Sequence, residues 1–341
     1  MRTKLMFWLF MISVLFDACK KNHDFGPVYL ENSDTNTISD NATYLLVGCE
    51  GTFQLGNASI SLIDLDSSRV KNNAYFDENG RAIGDVLQSI KVIDDFIYVV
   101  VNNSGLVKKL DSNLYEVGEV KGLISPRYVE LLGNRLIVSD LYANKLSIID
   151  TQSLGVVGEV PLEGWTERLV QFQDKIIVEI VDKKQLVEIL SDGRLGRQLN
   201  LSFEPIQVMT LGEKLLICGN YSNQNSSVVM VLNDRLETLD SISVDQKLVN
   251  ADLIGDTLFV LTDSHVRMFE MTIAEEVKSL IHNVQDAYGI LADRKFGVFV
   301  CDAKDYLSNG EVFRFDISLT HKIRSYSVGI IPQAMVIVER P

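Results

Sequence analysis

Apolar runs of four to six residues, rich in Val, Ile and Leu, recur along the chain, and each is cut short by Gly, Asn, Asp or Ser. The stretch from Arg127 to Leu162 shows the unit. Tyr128 to Leu132 is followed by a Gly133-Asn134 turn, Arg135 to Ser139 ends at Asp140, and Lys145 to Asp150 and Val156 to Leu162 complete the set. Runs this short, bounded this way, read as half-buried or buried antiparallel strands; a helix needs a longer uninterrupted run.

The four-strand unit repeats. Counting from the first residues of successive innermost strands, Ser89, Tyr128, Leu169, Gln207, Asn250, Gly289 and Ala334 follow one another at 39, 41, 38, 43, 39 and 45 residues. Repeats near 40–50 residues are the period of four-stranded propeller blades. The second strands align as LLVGCE, FIYVVVN, RLIVSD, KIIVEIVD, LLICGN, TLFVLTD and VFVCD, and the third strands align as well. The predicted fold is therefore an all-β, seven-bladed propeller. The first repeat begins at its second strand, Tyr44 to Glu50, and the chain ends on a lone strand, Ala334 to Glu339. The lone strand supplies what the first blade lacks and closes the ring, which removes open sheet edges. An open β-solenoid is the structural alternative; it would need shorter repeats and no complementary termini.

Composition adds little to the fold and more to location. The chain has 341 residues, 46% hydrophobic and 23% charged, with a formal net charge of −14. Arg2 and Lys4 precede an apolar run from Leu5 to Phe16, too short to span a bilayer but suited to a signal peptide. It ends at Asp17-Ala18-Cys19, where a small residue directly before a cysteine is similar to a bacterial lipoprotein cleavage site. The expected organisation is a signal peptide over 1–18, an acylated Cys19, a polar flexible tether over 19–42, and the propeller over 43–341. The membrane is then met only through the lipid anchor. Clustered Lys and Arg are missing, which argues against nucleic acid. Cys49, Cys218 and Cys301 end equivalent strands in different repeats and read as buried small hydrophobes. The four histidines are scattered and no cluster has metal-ligand spacing, so neither metal nor cofactor is expected.

In a propeller, the second-to-third and fourth-to-first connections share one face. The second strands end in Glu50, Asn102, Asp140, Asp182, Asn220, Asp263 and Asp302, an acid or amide in every blade. Turn chemistry accounts for each singly, because these side chains bond their own backbone; together they make the face rich in acceptors. The connections also carry aromatic and Arg residues of the kind that binding surfaces enrich. Trp165 either packs between blades or contacts a ligand. Arg127 and Arg168 share one repeat phase and either bridge to the acidic ring or donate to a carboxylate, amide or phosphate. The candidate ligand-binding set is Phe53, Gln88, Asn102, Arg127, Asp140, Tyr142, Trp165, Arg168, Tyr221, Tyr288 and Tyr306. The insertions GTFQLGN, AKDYLSNG and FDENGRAIGDVLQ are expected on the same face.

The blocks CEGTFQLGNASISLID and FDENGRAIGDVLQSI, with ISPRYVE, LIVSDLYANKLSIID and the GIIPQAMV ending, resemble the seven-bladed YVTN-type propeller lipoproteins of Gram-negative gut bacteria. The likeness covers about Tyr44 to Val338, although the YVTN string is replaced by LIVSD and FVCD. The resemblance implies a lipid-anchored outer-membrane protein at the cell surface. It would capture a small ligand, with cobalamin or a related corrinoid as candidate, for a TonB-dependent transporter, without catalysis. Two other classes stay open: a propeller enzyme of lactonase or lyase type, and an adhesive scaffold for a protein partner. No Ser/His/Asp arrangement or phosphate loop stands out in the sequence; GRAIGD lacks the following Lys-Ser/Thr and the strand–helix context.

Overall fold

Seven four-stranded antiparallel sheets are arranged as the blades of a closed propeller. The computed structural model describes residues 42–339; the predicted signal peptide, Cys19 and most of the tether lie outside the described residues. The innermost strands are Leu87–Ile93, Pro126–Leu132, Thr166–Phe172, Glu204–Leu211, Leu248–Ile254, Ala287–Asp293 and, in the first blade, Pro332–Glu339. That last strand pairs antiparallel with Thr43–Cys49, from Thr43 opposite Glu339 to Cys49 opposite Pro332. The closure expected from the incomplete first repeat is therefore the closure observed.

Sheet packing follows from the strand pattern. Second strands such as Lys175–Ile180 and Gly297–Asp302 are buried along their whole length, because both faces of a blade meet a neighbouring blade. Seven hydrophobic clusters result, one at each interface between blades. Cys49 and Cys301 share the interface between the seventh and first blades, and Cys218 lies between the fifth and sixth. All three thiols are free and buried, and burial pushes Cys49 up to about 12. The outer strands are mostly exposed, as in Glu275–Ile281.

The first blade departs from the pattern at its outer edge. Its fourth strand is only Val70–Lys71, and the chain then forms a short helix, Ala74–Asn79, ended by Gly80 in a left-handed conformation (φ 65°). Tyr75 on this helix is buried, and its hydroxyl donates to Glu116 on the outer strand of the second blade. Glu116 also takes Lys108 at 2.9 Å and Arg81 at 2.7 Å. Asn79 bonds the carbonyl of Leu114, in the turn between third and fourth strands, on the face away from the mouth. This corrects one expectation: FDENGRAIGDVLQ begins as a plug on the side of the propeller, and only its end, from Asp85 to Gln88, reaches the mouth.

The polar residues ending the second strands tie down the connections at the mouth, some within a blade and some to the next. Asp302 accepts backbone hydrogens from Gln285 (3.2 Å), Asp286 (2.9 Å) and Lys304 (2.9 Å). Asn220 both donates to and accepts from Leu248, at 2.8 and 2.9 Å. Asp302→Ala orphans several amides at once and is expected to cost about 2–3 kcal/mol, read as a lower denaturation midpoint. An unchanged midpoint would mean that water replaces the carboxylate without loss.

Candidate functional site

Every innermost strand carries a β-bulge at the same height. Pairing with the second strand skips Gln88, Arg127 with Tyr128, Glu167 with Arg168, Ile206, Val249, Tyr288 with Gly289, and Gln333. A bulge adds residues on one strand and re-aims their side chains; here seven bulges form a ring at one mouth of the central channel. The second-to-third and fourth-to-first connections meet above it, as expected: Asn102 N–H donates to Val86 O (2.8 Å), Leu141 to Ser125 O (2.9 Å) and Glu50 to Ile331 O (2.9 Å). Val86 (φ 61°) and Ile331 (φ 53°) are β-branched residues in the left-handed region, directly before innermost strands. Such conformations cost on the order of 1–3 kcal/mol and persist only where surrounding bonds fix them.

The bulged residues build a polar floor. Arg127 donates through Nε to Glu167 at 2.9 Å and through Nη1 to Gln88. Arg168 lies over the Tyr128 ring, 4.9 Å from its centre, and donates through Nε to Ile206 O at 2.8 Å. Tyr288 donates its hydroxyl to Glu50 at 3.1 Å. Burial raises the Glu50 carboxyl above its usual range, against the hydrogen bond from Tyr288 and the nearby charge of Arg127.

Aromatic side chains stand above this floor. Tyr142 and Trp165 meet edge to face, centroids 6.1 Å apart, and are 60% and 48% exposed. Tyr288 and Tyr306 meet the same way at 5.9 Å, and Tyr306 donates to Asp286 at 2.8 Å. The first pair sits at the junction of the third and fourth blades and the second in the seventh blade, half a turn away around the axis. Phe53, on the first blade's loop, is 61% exposed. Trp165 is thus a half-exposed rim residue set edge to face against Tyr142.

Other candidates have structural work. Asp140 is buried, and its carboxylate accepts the amides of Ile124 and Ser125, both at 2.9 Å. Asn102 donates to Ser125 Oγ and Pro126 O at 2.9 and 3.0 Å. Tyr221 packs edge to face on the buried Phe203. Gln88, Arg127, Arg168, Tyr288 and Tyr306 are brought to the mouth, with Phe53, Tyr142 and Trp165 on its rim.

Sequence reading missed the channel below. The seven innermost strands enclose a cavity of about 390 Å³ whose wall includes Lys91, Tyr128, Glu130, Gln207, Asn250, Asp252 and Gln333. The signal was a polar residue at the inward phase of an otherwise apolar leading strand. Among the described residues, no group of three or more His, Cys, Asp or Glu is placed to hold a metal ion.

No family model and no curated protein matches the sequence. Solved structures do match. The chain superimposes on the periplasmic gluconolactonase PpgL of Pseudomonas aeruginosa with a TM-score of 0.68 at 15% identity, over 88% of this chain and 100% of that one. A putative 6-phosphogluconolactonase from Bacteroides uniformis gives 0.67 at 12%, again over 88% and 100%. A quinonprotein alcohol dehydrogenase-like protein from Bacteroides thetaiotaomicron gives 0.67 at 11%, over 88% and 79%. What they share with this chain is the fold. Identity this low carries no activity across, since one propeller serves many functions.

Proposed function

We propose that the chain is a binding protein that holds a small, wide ligand across the propeller mouth. The observation that carries this reading is the pair of aromatic walls, Tyr142 with Trp165 and Tyr288 with Tyr306, set on opposite sides of the ring around a floor of hydrogen-bonding groups. Exposed aromatic edges favour the apolar flanks of a ligand. Between them Arg127, Glu167, Gln88 and Glu50 supply donors and acceptors for its polar groups. A ligand that reaches both walls must be broad, and one that satisfies the floor must be rich in amides or similar groups. A corrinoid rimmed by amides has that character and is the candidate ligand, in keeping with the resemblance to YVTN-type propeller lipoproteins. On this reading Cys19 carries the lipid that holds the protein at the outer-membrane surface, and a TonB-dependent transporter receives the ligand.

The test is melting temperature with cobalamin, cobinamide and a lactone panel. A specific ligand at about 100 times its Kd stabilises by about 2.7 kcal/mol, a shift of several degrees for a domain of this size. The shift is expected with a corrinoid and is expected to shrink in Trp165→Ala. No corrinoid shift, together with hydrolysis of gluconolactones, would move the assignment to an enzyme.

A further inference from the structure

Most charged groups around the central channel are held by partners. Lys91 Nζ lies 2.8 Å from Glu130. Arg127 is held by Glu167 at 2.9 Å. Asp252 accepts the amides of Leu253 and Ala292 at 2.9 and 2.8 Å. Arg168 stands apart. Its Nε is used by Ile206 O, its Nη2 reaches Asn250 Oδ1 only at 3.5 Å, and no carboxylate pairs with it among the described residues. The acid opposite it across the bulge is Glu179, 1% exposed, whose Oε1 bonds nothing within the protein. Burial lifts that carboxyl to about 8 despite the charge of Arg168. At neutral pH it keeps its proton and gives Arg168 no counter-charge.

Two amides complete the surroundings. Gln207 and Gln333 line the same cavity, and the Oε1 of each is buried without a protein partner. Rotation about the last bond of either side chain presents N–H donors instead. A planar guanidinium with open donors, beside adaptable amides in a polar channel, is the chemistry that receives an oxyanion.

We propose that this throat holds a small oxyanion, a sulfate, phosphate or carboxylate group, on Arg168 with Gln207 and Asn250 beside it. The site lies below the rim and does not depend on which ligand the rim takes. The group is either a free ion or the acidic arm of a molecule seated above. The overall charge of −14 opposes binding only weakly, because exposed charges are screened beyond about 8 Å at physiological salt. The acid that opposes it inside the channel is Asp252, which makes no ion pair but lies near enough to feel the charge of Arg168.

The test compares sulfate with chloride at matched ionic strength, on the wild-type protein, Arg168→Gln and Asp252→Asn, by melting temperature. The general stabilising effect of sulfate acts on all three. The wild type is expected to show an added, saturable shift that Arg168→Gln lacks. Asp252→Asn, which removes the opposing charge, is expected to lower the half-saturating concentration at least threefold. Equal shifts in wild type and Arg168→Gln, or no saturable shift in the wild type, would overturn the proposal. If Arg168→Gln does not fold, Asp252→Asn decides, and an unchanged or raised midpoint overturns it. Phenyl phosphate separates the two sources. Tighter binding than sulfate that weakens in Trp165→Ala marks an arm of a rim ligand, and binding equal to sulfate marks a free ion.

Discussion

A chain ending at Pro332 is expected to lose cooperative folding. The deleted segment holds most of the first blade's innermost strand, which pairs with Thr43–Cys49 along its length. Its side chains serve two interfaces at once: Ala334 and Val336 pack toward the second blade with the buried Val338, and Met335 and Ile337 toward the seventh. Each is worth about 1–2 kcal/mol when half-buried, and the lost ladder leaves the backbone of the second strand unpaired beside the channel. The total approaches the ~5–15 kcal/mol that holds a typical domain together. Circular dichroism should show no sharp melting transition, and the exposed edge should promote association. A truncated chain melting within two or three degrees of the intact one would show that the ring holds without its last strand.

Glu179→Gln is expected to stabilise the protein, and more so as the pH rises. In the unfolded chain a glutamate titrates near 4.3, whereas burial holds Glu179 at about 8 in the fold. A folded-state value above the unfolded one means the native state keeps its proton after the unfolded chain has lost it. Wild-type stability therefore falls as pH rises from about 4.3 toward 8 and levels off above. Glutamine has nothing to titrate. The gap between variant and wild type should be small near pH 4 and reach about 3–5 kcal/mol at pH 8–9, since each tenfold difference in proton affinity between the two states is worth roughly 1.4 kcal/mol. Denaturation at pH 4.5, 6.5 and 8.5 measures it. Parallel profiles would mean that Glu179 is ionised against Arg168 throughout, and would also weaken the case for an open guanidinium in the throat.

The second strands were legible because each is buried on both faces, so the apolar run is nearly continuous and the breaker at its end is obligatory. Leading strands were less so. They begin two or three residues before the apolar pattern resumes, at Leu87, Pro126, Thr166, Glu204, Leu248, Ala287 and Pro332. The residues between are the bulges, and a bulge breaks the two-residue alternation from which strands are read. The candidate site divides on the same ground. Trp165, Tyr142 and Arg127 could be picked out because loop aromatics and arginines are conspicuous. Glu179 sits in KIIVEI as one polar letter in an apolar run, and nothing local says that it faces an arginine across a bulge. The helix at Ala74–Asn79 was missed because AYFDEN is a single turn and a half with no repeated apolar spacing, held in place by Glu116 from another blade.

The seam between the first and last strands also sets an order of events. Thr43 and Glu339 lie opposite each other in the sheet but almost 300 residues apart in the chain. Among the described residues the strand pairing most distant in sequence is thus the one that closes the ring, and such contacts form slowly because the intervening chain must first be ordered. A nascent polypeptide emerging from the ribosome can pair Thr43–Cys49 with Ser59–Asp64 at once, but its inner edge stays open until Pro332–Glu339 arrives. Until then, what exists is an arc of blades whose first sheet lacks its innermost strand.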